Sequence, residues 1–206
     1  MKTLLKQSIK WSSGIAVITF VLAAIFSVVS TFLLSGVTWA VGMLVVLVIV
    51  LTGVVFDIIG VAATAADEKP FHSMAAKRVH GSKQAIFITR NADRVANFCN
   101  DVVGDISGIV SGTASAAVVL ELTLQLNFGE DSPFQYVVSV LFTSTIAALT
   151  VGGKAFGKTF AIKYATEIIL QVGRLFYFVE EKLKIRFTYT KKRKPPKLKE
   201  KGSERR

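Results

Sequence analysis

The chain has 206 residues, 51% of them hydrophobic, with a mean hydropathy of +0.51 and a formal charge of +11. The apolar residues are gathered in long runs and the Lys and Arg lie between and after them, which excludes an ordinary soluble domain and a basic nucleic-acid-binding surface and points to a polytopic membrane protein. A single cysteine, Cys99, excludes an intramolecular disulfide and two-thiol redox chemistry, and reads as a small buried side chain.

Residues 1–13 carry Lys2, Lys6 and Lys10 ahead of an apolar run over 14–34. That run exceeds the apolar core of about 7–15 residues found in a signal peptide, so a retained span over 14–35 is predicted. An uncharged turn at 35–38 leads into a second apolar run, 39–66, and so tight a connection predicts an antiparallel hairpin. Asp57 stands inside this second run. A carboxylate in a lipid-embedded stretch is costly enough to mark a functional site by default.

Between 67 and 97 the composition turns charged, with Lys69, Lys77, Arg78, Lys83, Arg90 and Arg94 against Asp67, Glu68 and Asp93. The basic excess assigns this segment to the cytoplasmic side. Pro70 suits the first turn of a helix, Gly81 a helix end and Ser82 the cap of the next, so a juxtamembrane belt of two short helices is predicted over 68–96. Ala75, Val79, Ala85, Ile86 and Ile88 give the belt an apolar side that suits the membrane surface.

The third span, 98–126, contains Gly104, Gly108 and Gly112 at four-residue spacing, with Ser107, Ser111 and Ser115 on an adjoining stripe. Small residues at this spacing let helix backbones approach closely in lipid, so the glycines predict a packing face. Asp105, three and seven residues before Gly108 and Gly112, is expected to face the same packed interior.

Residues 127–133 hold Glu130 and Asp131 and no basic residue, consistent with the outer side. A fourth span follows over 134–151, ending at Gly152 and Gly153. From 154 to 183, Lys158, Lys163, Glu167 and Arg174 alternate with Phe160, Ile168, Val172, Phe176 and Val179, the pattern of an amphipathic helix on the inner surface. The basic tail at 184–206 cannot bury a core and is expected to stay disordered near anionic lipid. The fold class is therefore all-α membrane, with four transmembrane helices, a cytoplasmic belt, a C-terminal amphipathic helix and both termini cytoplasmic.

Phe56-Asp57 in the second span, a belt with Gly81 and Ala85, Gly104-Asp105 in the third span, and Gly153-Lys154-Ala155-Phe156-Gly157-Lys158 with Ala161 at the end of the fourth follow one another in an order that resembles the transmembrane domain of the CNNM/CorB family of magnesium transport proteins. The resemblance covers roughly 41–179, within a transmembrane unit of 14–183, and lacks the nucleotide-sensing CBS pair. It implies a multi-pass inner-membrane protein, a homodimer or a subunit beside another membrane protein, with Mg²⁺ as the transported ion. The family's Ser, Asn and Glu ligands fall on Asp57, Asp105 and Lys154, and its Pro on Gly157, so two neutral ligands are acidic here and the acidic one is basic.

Two arrangements satisfy that charge balance. Lys154 fills the cation's place in an internal Asp57–Lys154–Asp105 cluster, since a buried charge needs an opposite one. Alternatively Lys154 snorkels to the cytoplasm and leaves Asp57 and Asp105 as a hard-oxygen metal site. A purely structural salt-bridge network accounts for the same residues.

Glu121, near the outer end of its span, either lines an access path or snorkels to water. His72 and His80, eight apart without nearby Cys, do not make a transition-metal site, and Gly152-Gly153 with Lys154 and Lys158 lacks the remaining phosphate-loop spacing. No Ser-His-Asp or Cys-His arrangement points to an enzyme, and no specific nucleic-acid partner is expected. The functions left are divalent-cation transport and a non-transporting membrane scaffold.

Overall fold

The structure, a computed structural model, describes residues 2–125 and 133–183. The expectations placed on 127–132, including Glu130 and Asp131, and on the tail from 184 onward lie outside the described residues. Among the described residues all regular structure is helical. The helices are α1 (Lys2–Leu34), α2 (Trp39–Ala65), α3 (Lys69–Ala76), α4 (Ser82–Arg90), α5 (Ala92–Ala96), a π-helical segment (Asn97–Gly104), α6 (Asp105–Gln125), α7 (Pro133–Lys163) and α8 (Ala165–Leu183).

Among the described residues four stretches, Ser12–Leu34, Trp39–Ala65, Ala92–Gln125 and Gln135–Lys163, are long and apolar enough to cross a membrane. This is the pattern of a multi-pass membrane protein. The α1–α2 connection is short because Gly36 takes a left-handed backbone (φ 78°) that a side chain would resist. α2 and α6 form the centre of the bundle, and α1 and α7 flank them with most of their surface turned outward.

Val46 and Val50 of α2 meet Ala114 and Val118 of α6 and Ile146 of α7 in the half of the bundle nearer the α1–α2 turn. Val102, Ile106 and Val110 pack against Ile15, Leu22, Ala23 and Phe26 of α1. At the opposite end α3, α4 and α8 close over the end of α2, with Phe71, Ala85, Ile88 and Ile169 buried against Ala62 and Ala63. Phe71 is fully buried, which stabilises this cap by about 1.5–3 kcal/mol. Gly81, at φ 83°, and Gly173 bring α4 and α8 together so closely that a side chain on Gly81 would overlap the Arg174 backbone. Gln84 Nε2 donates to Glu180 Oε2 across the same contact at 2.6 Å.

Three local expectations are corrected. Gly81, not Ser82, is the N-cap of α4; the Ser82 hydroxyl instead donates back to the Val79 carbonyl at 2.6 Å. The third span starts earlier than the expected 98: helix runs without a break from Ala92, at the end of the expected belt, through the π-helical segment into α6. The fourth span does not end at Gly152-Gly153 but continues to Lys163, and α8 begins only after a break at Tyr164. A glycine pair is tolerated inside a helix packed among apolar neighbours, so it was a poor stop signal here.

Candidate functional site

The centre of the bundle is set by small residues. On α2, Gly53, Asp57 and Gly60 stand at four- and three-residue spacing and therefore on one face, and all three are buried. Running the other way, Asn100 and Gly104 of the π-helical segment and Ser107 of α6 have the same spacing. A methyl group on Gly53 would sit 2.8 Å from the Ser107 Cβ, and one on Gly60 would overlap the Asn100 carboxamide. The helices approach this closely only because both α2 positions are glycine.

Asp57 lies midway between these two contacts, 4% exposed. Its Oδ2 is buried and accepts no protein hydrogen bond, and the same is true of Asn100 Oδ1; the Ser107 hydroxyl oxygen is also buried and makes none. Nearly all buried polar atoms in proteins find a partner, so three orphaned oxygens on one helix–helix seam are a feature to explain. The π-helical turn is part of the cause. Its hydrogen bonds run to the fifth residue, which widens the helix beside Asp57 and aims Asn100 at Gly60.

Lys154 comes in from α7, which packs on the neighbouring face of α2 through Gly153 against Val54 and Gly157 against Ile58. Its ammonium donates to the Gly104 carbonyl at 3.5 Å. Among the described residues, no ion pair within 4 Å joins Lys154 to Asp57 or Asp105. Lys154 is half-buried at the level of Asp57, so it neither closes a salt bridge nor reaches the bundle's end.

The structure thus gathers Asp57, Gly104 and Lys154 and leaves Asp105 outside. Asp105 is exposed, on the outward side of α6. Gly108 and Gly112 share that side, and a methyl group on either would meet nothing within 4 Å. The packing face of α6 within this chain is the adjoining stripe of Ser107, Ser111 and Ser115, each at most 1% exposed, continued by Gly104. The reason is chemical. The Ser111 and Ser115 hydroxyls donate to the Gly108 and Ser111 carbonyls of their own helix, so each behaves as a small, satisfied side chain that packs as well as glycine.

Asn100 and Ser107 were not among the residues expected at this site. Their signal was spacing: seven residues apart, bracketing Gly104, as Gly53 and Gly60 bracket Asp57. The donors at the seam are one carboxylate and two neutral oxygens, the hard set that suits Mg²⁺, which holds to one or two carboxylates and retains several waters. Among the described residues no group of three or more His, Cys, Asp or Glu side chains gathers there or elsewhere. Compared with known protein families, curated proteins and solved structures, the chain matches none.

Proposed function

We propose that this multi-pass membrane protein moves a divalent cation, Mg²⁺ or one like it, through a site at the α2–α6 seam built on Asp57 with Asn100 and Ser107. The observation that carries this reading is the set of three buried, unpartnered oxygens. A lone carboxylate in a low-dielectric interior calls for a cation, and the Asn100 and Ser107 oxygens, at the Gly60 and Gly53 contacts about one helical turn to either side of Asp57, add further acceptors along the same seam. In this reading α3, α4 and α8 form a belt on the cytoplasmic face, with the exposed apolar residues Leu175 and Phe178 of α8 against lipid and both termini on the same side.

The test is thermal unfolding of the purified protein across a Mg²⁺ titration. Ligand binding to the folded state raises stability with concentration, so the wild-type Tm climbs and Asp57→Asn climbs much less. A flat wild-type titration overturns the reading. One observation favours a second function, a non-transporting scaffold or regulatory subunit: Lys154 already brings a positive charge to the level of Asp57. In that case Mg²⁺ has no effect and Lys154→Ala alone unfolds the bundle.

A further inference from the structure

The apolar side of the α3–α4 hairpin is used inside the protein: Phe71, Ala85 and Ile88 are buried against α2 and α8, and Met74 and Ile86 pack beside them. What the hairpin turns outward is the opposite side, and it is basic. Lys69, Lys77, Arg78 and Lys83 are all exposed, and from 69 to 92 the chain has no Asp or Glu. The neighbouring acids are engaged elsewhere, Glu68 with His72 and Arg90 and Glu180 with Gln84. Among the described residues the four exposed cations make no ion pair.

Their placement does not serve the helices that carry them. Lys69 and Lys83 lie in the first turns of α3 and α4, and neither turn holds an acidic residue. The helix dipole favours negative charge at that end, so local stability alone would select Asp or Glu. Phe87 adds nothing to the core either. It is 45% exposed and stands on one stripe of α4 between Lys83 and Arg90, at four- and three-residue spacing. A basic stripe with an aromatic ring in it is the surface chemistry of a helix at a membrane interface.

The connections limit how far this surface can stand from lipid. The spanning stretch that includes α2 ends at Ala65 and α3 begins at Lys69; α4 ends at Arg90 and the next spanning stretch begins at Ala92. Helices of 8 and 9 residues are about 12–14 Å long, so the hairpin cannot carry its cations much farther than that from the end of a spanning helix. A charged membrane surface reaches about 8–10 Å at physiological salt, which is the same range.

We propose that the outer face of the α3–α4 hairpin docks on anionic phospholipid, with Phe87 entering the interface and Lys69, Lys77, Arg78 and Lys83 meeting the headgroups. A soluble acidic partner would need neither the exposed ring nor the nearness to two spanning helices. The inference concerns the lipid partner of the membrane protein and is independent of its cargo.

The test is tryptophan quenching in the full chain, reconstituted into phosphatidylcholine vesicles with a minor fraction of phosphatidylglycerol. Phe87→Trp is made together with Trp11→Phe and Trp39→Phe, so that the introduced indole is the only one. Bromine is placed on the acyl chains of one lipid or the other. At low salt phosphatidylglycerol should quench about fivefold more per mole, the enrichment that one basic residue near the surface supports, and added salt should remove most of the difference. Lys69→Gln, Lys77→Gln, Arg78→Gln and Lys83→Gln made together should abolish it while phosphatidylcholine still quenches. The salt series needs none of these four substitutions, so it reads the same attraction should that variant fold poorly. Absence of quenching by either lipid means that the hairpin faces water and a soluble partner. Equal quenching means lipid contact without choice of charge, and a preference that survives the Gln variant belongs to other basic residues; each of the three overturns the proposal. A Tm that rises with Mg²⁺ in a protein without lipid preference removes this surface alone, and a flat titration with the preference intact removes the cargo alone.

Discussion

Lys154 Nζ lies 3.5 Å from the Gly104 carbonyl oxygen and is directed at the backbone of the π-helical segment, not at a carboxylate. This one contact separates the two functions. A lysine that had replaced the cation would close on Asp57, because breaking a buried pair costs about 3–5 kcal/mol and the geometry would be held tightly. At 3.5 Å a hydrogen bond is at the edge of the useful range, and the ammonium is only half-buried.

Lys154→Ala is therefore expected to cost no more than about 1 kcal/mol, a fall in Tm of about 2–4 °C for a chain of this size. The variant should also reach half-saturation at a lower Mg²⁺ concentration, on the order of tenfold, since a positive charge near the site has gone. Calorimetric melting with and without Mg²⁺ reads both. A collapse in Tm without any Mg²⁺ dependence favours the scaffold.

The two glycine stripes give a paired prediction. Gly53→Leu drives bulk into the Ser107 Cβ and hydroxyl, which are held close to the α6 backbone, and should destabilise the protein by about 1–3 kcal/mol or more. Gly108→Leu enters open space within this chain and should leave the Tm nearly unchanged. Melting curves of the two variants decide it. Equal losses would mean that a second copy or another membrane subunit covers the outward side of α6.

Much of the architecture was legible in the sequence because lipid imposes a crude rule: a long apolar run must be a helix, since its backbone has no water to bond. Trp39–Ala65 was readable to within a residue for that reason. Facing was harder. Gly104, Gly108 and Gly112 mark a stripe on a helical wheel, but the wheel does not say which neighbour it meets, and satisfied serines compete with glycine for the packed side. Asp105 was drawn to the interior with the wrong stripe, whereas Asp57, bracketed by Gly53 and Gly60, was placed correctly inside. The π-helical turn that brings in Asn100 left no compositional trace, because its cause is the fit between α2 and α6 and not local propensity.

The cap over the end of α2 depends on Phe71, the largest of the fully buried side chains. Phe71→Ala should cost about 3–5 kcal/mol, through lost transfer energy and the cavity among Ala62, Ala85 and Ile169. Proteolysis of the folded protein checks the location of the damage. Cleavage should appear first within α3 and α4, ahead of the spanning helices, because their docking is what the side chain supplies. A variant cut no faster in that segment than wild type would mean that the cap is held by other contacts, such as Gln84 with Glu180.

The same cap carries the clearest pH signature. Glu68 Oε1 is 2.6 Å from His72 Nε2 and 2.7 Å from Arg90 Nε, joining α4 to the start of α3. The hydrogen bond from His72 is the largest influence on the Glu68 carboxyl; desolvation opposes it, and the hydrogen bond and charge of Arg90 with the charge of His72 complete a net lowering below the ordinary value of 4.5. A group whose folded value is depressed stabilises the fold fully above its unfolded value and loses that contribution as pH falls through the folded one. Wild type should therefore melt higher than Glu68→Gln at neutral pH, by a small margin since the site is exposed and screened by salt. The margin should begin to shrink near pH 4.5 and vanish below the depressed value. Paired melting curves of the two proteins across this range, at low salt, measure it; a margin that stays constant as the carboxyl titrates would show that Glu68 acts by packing and not by charge.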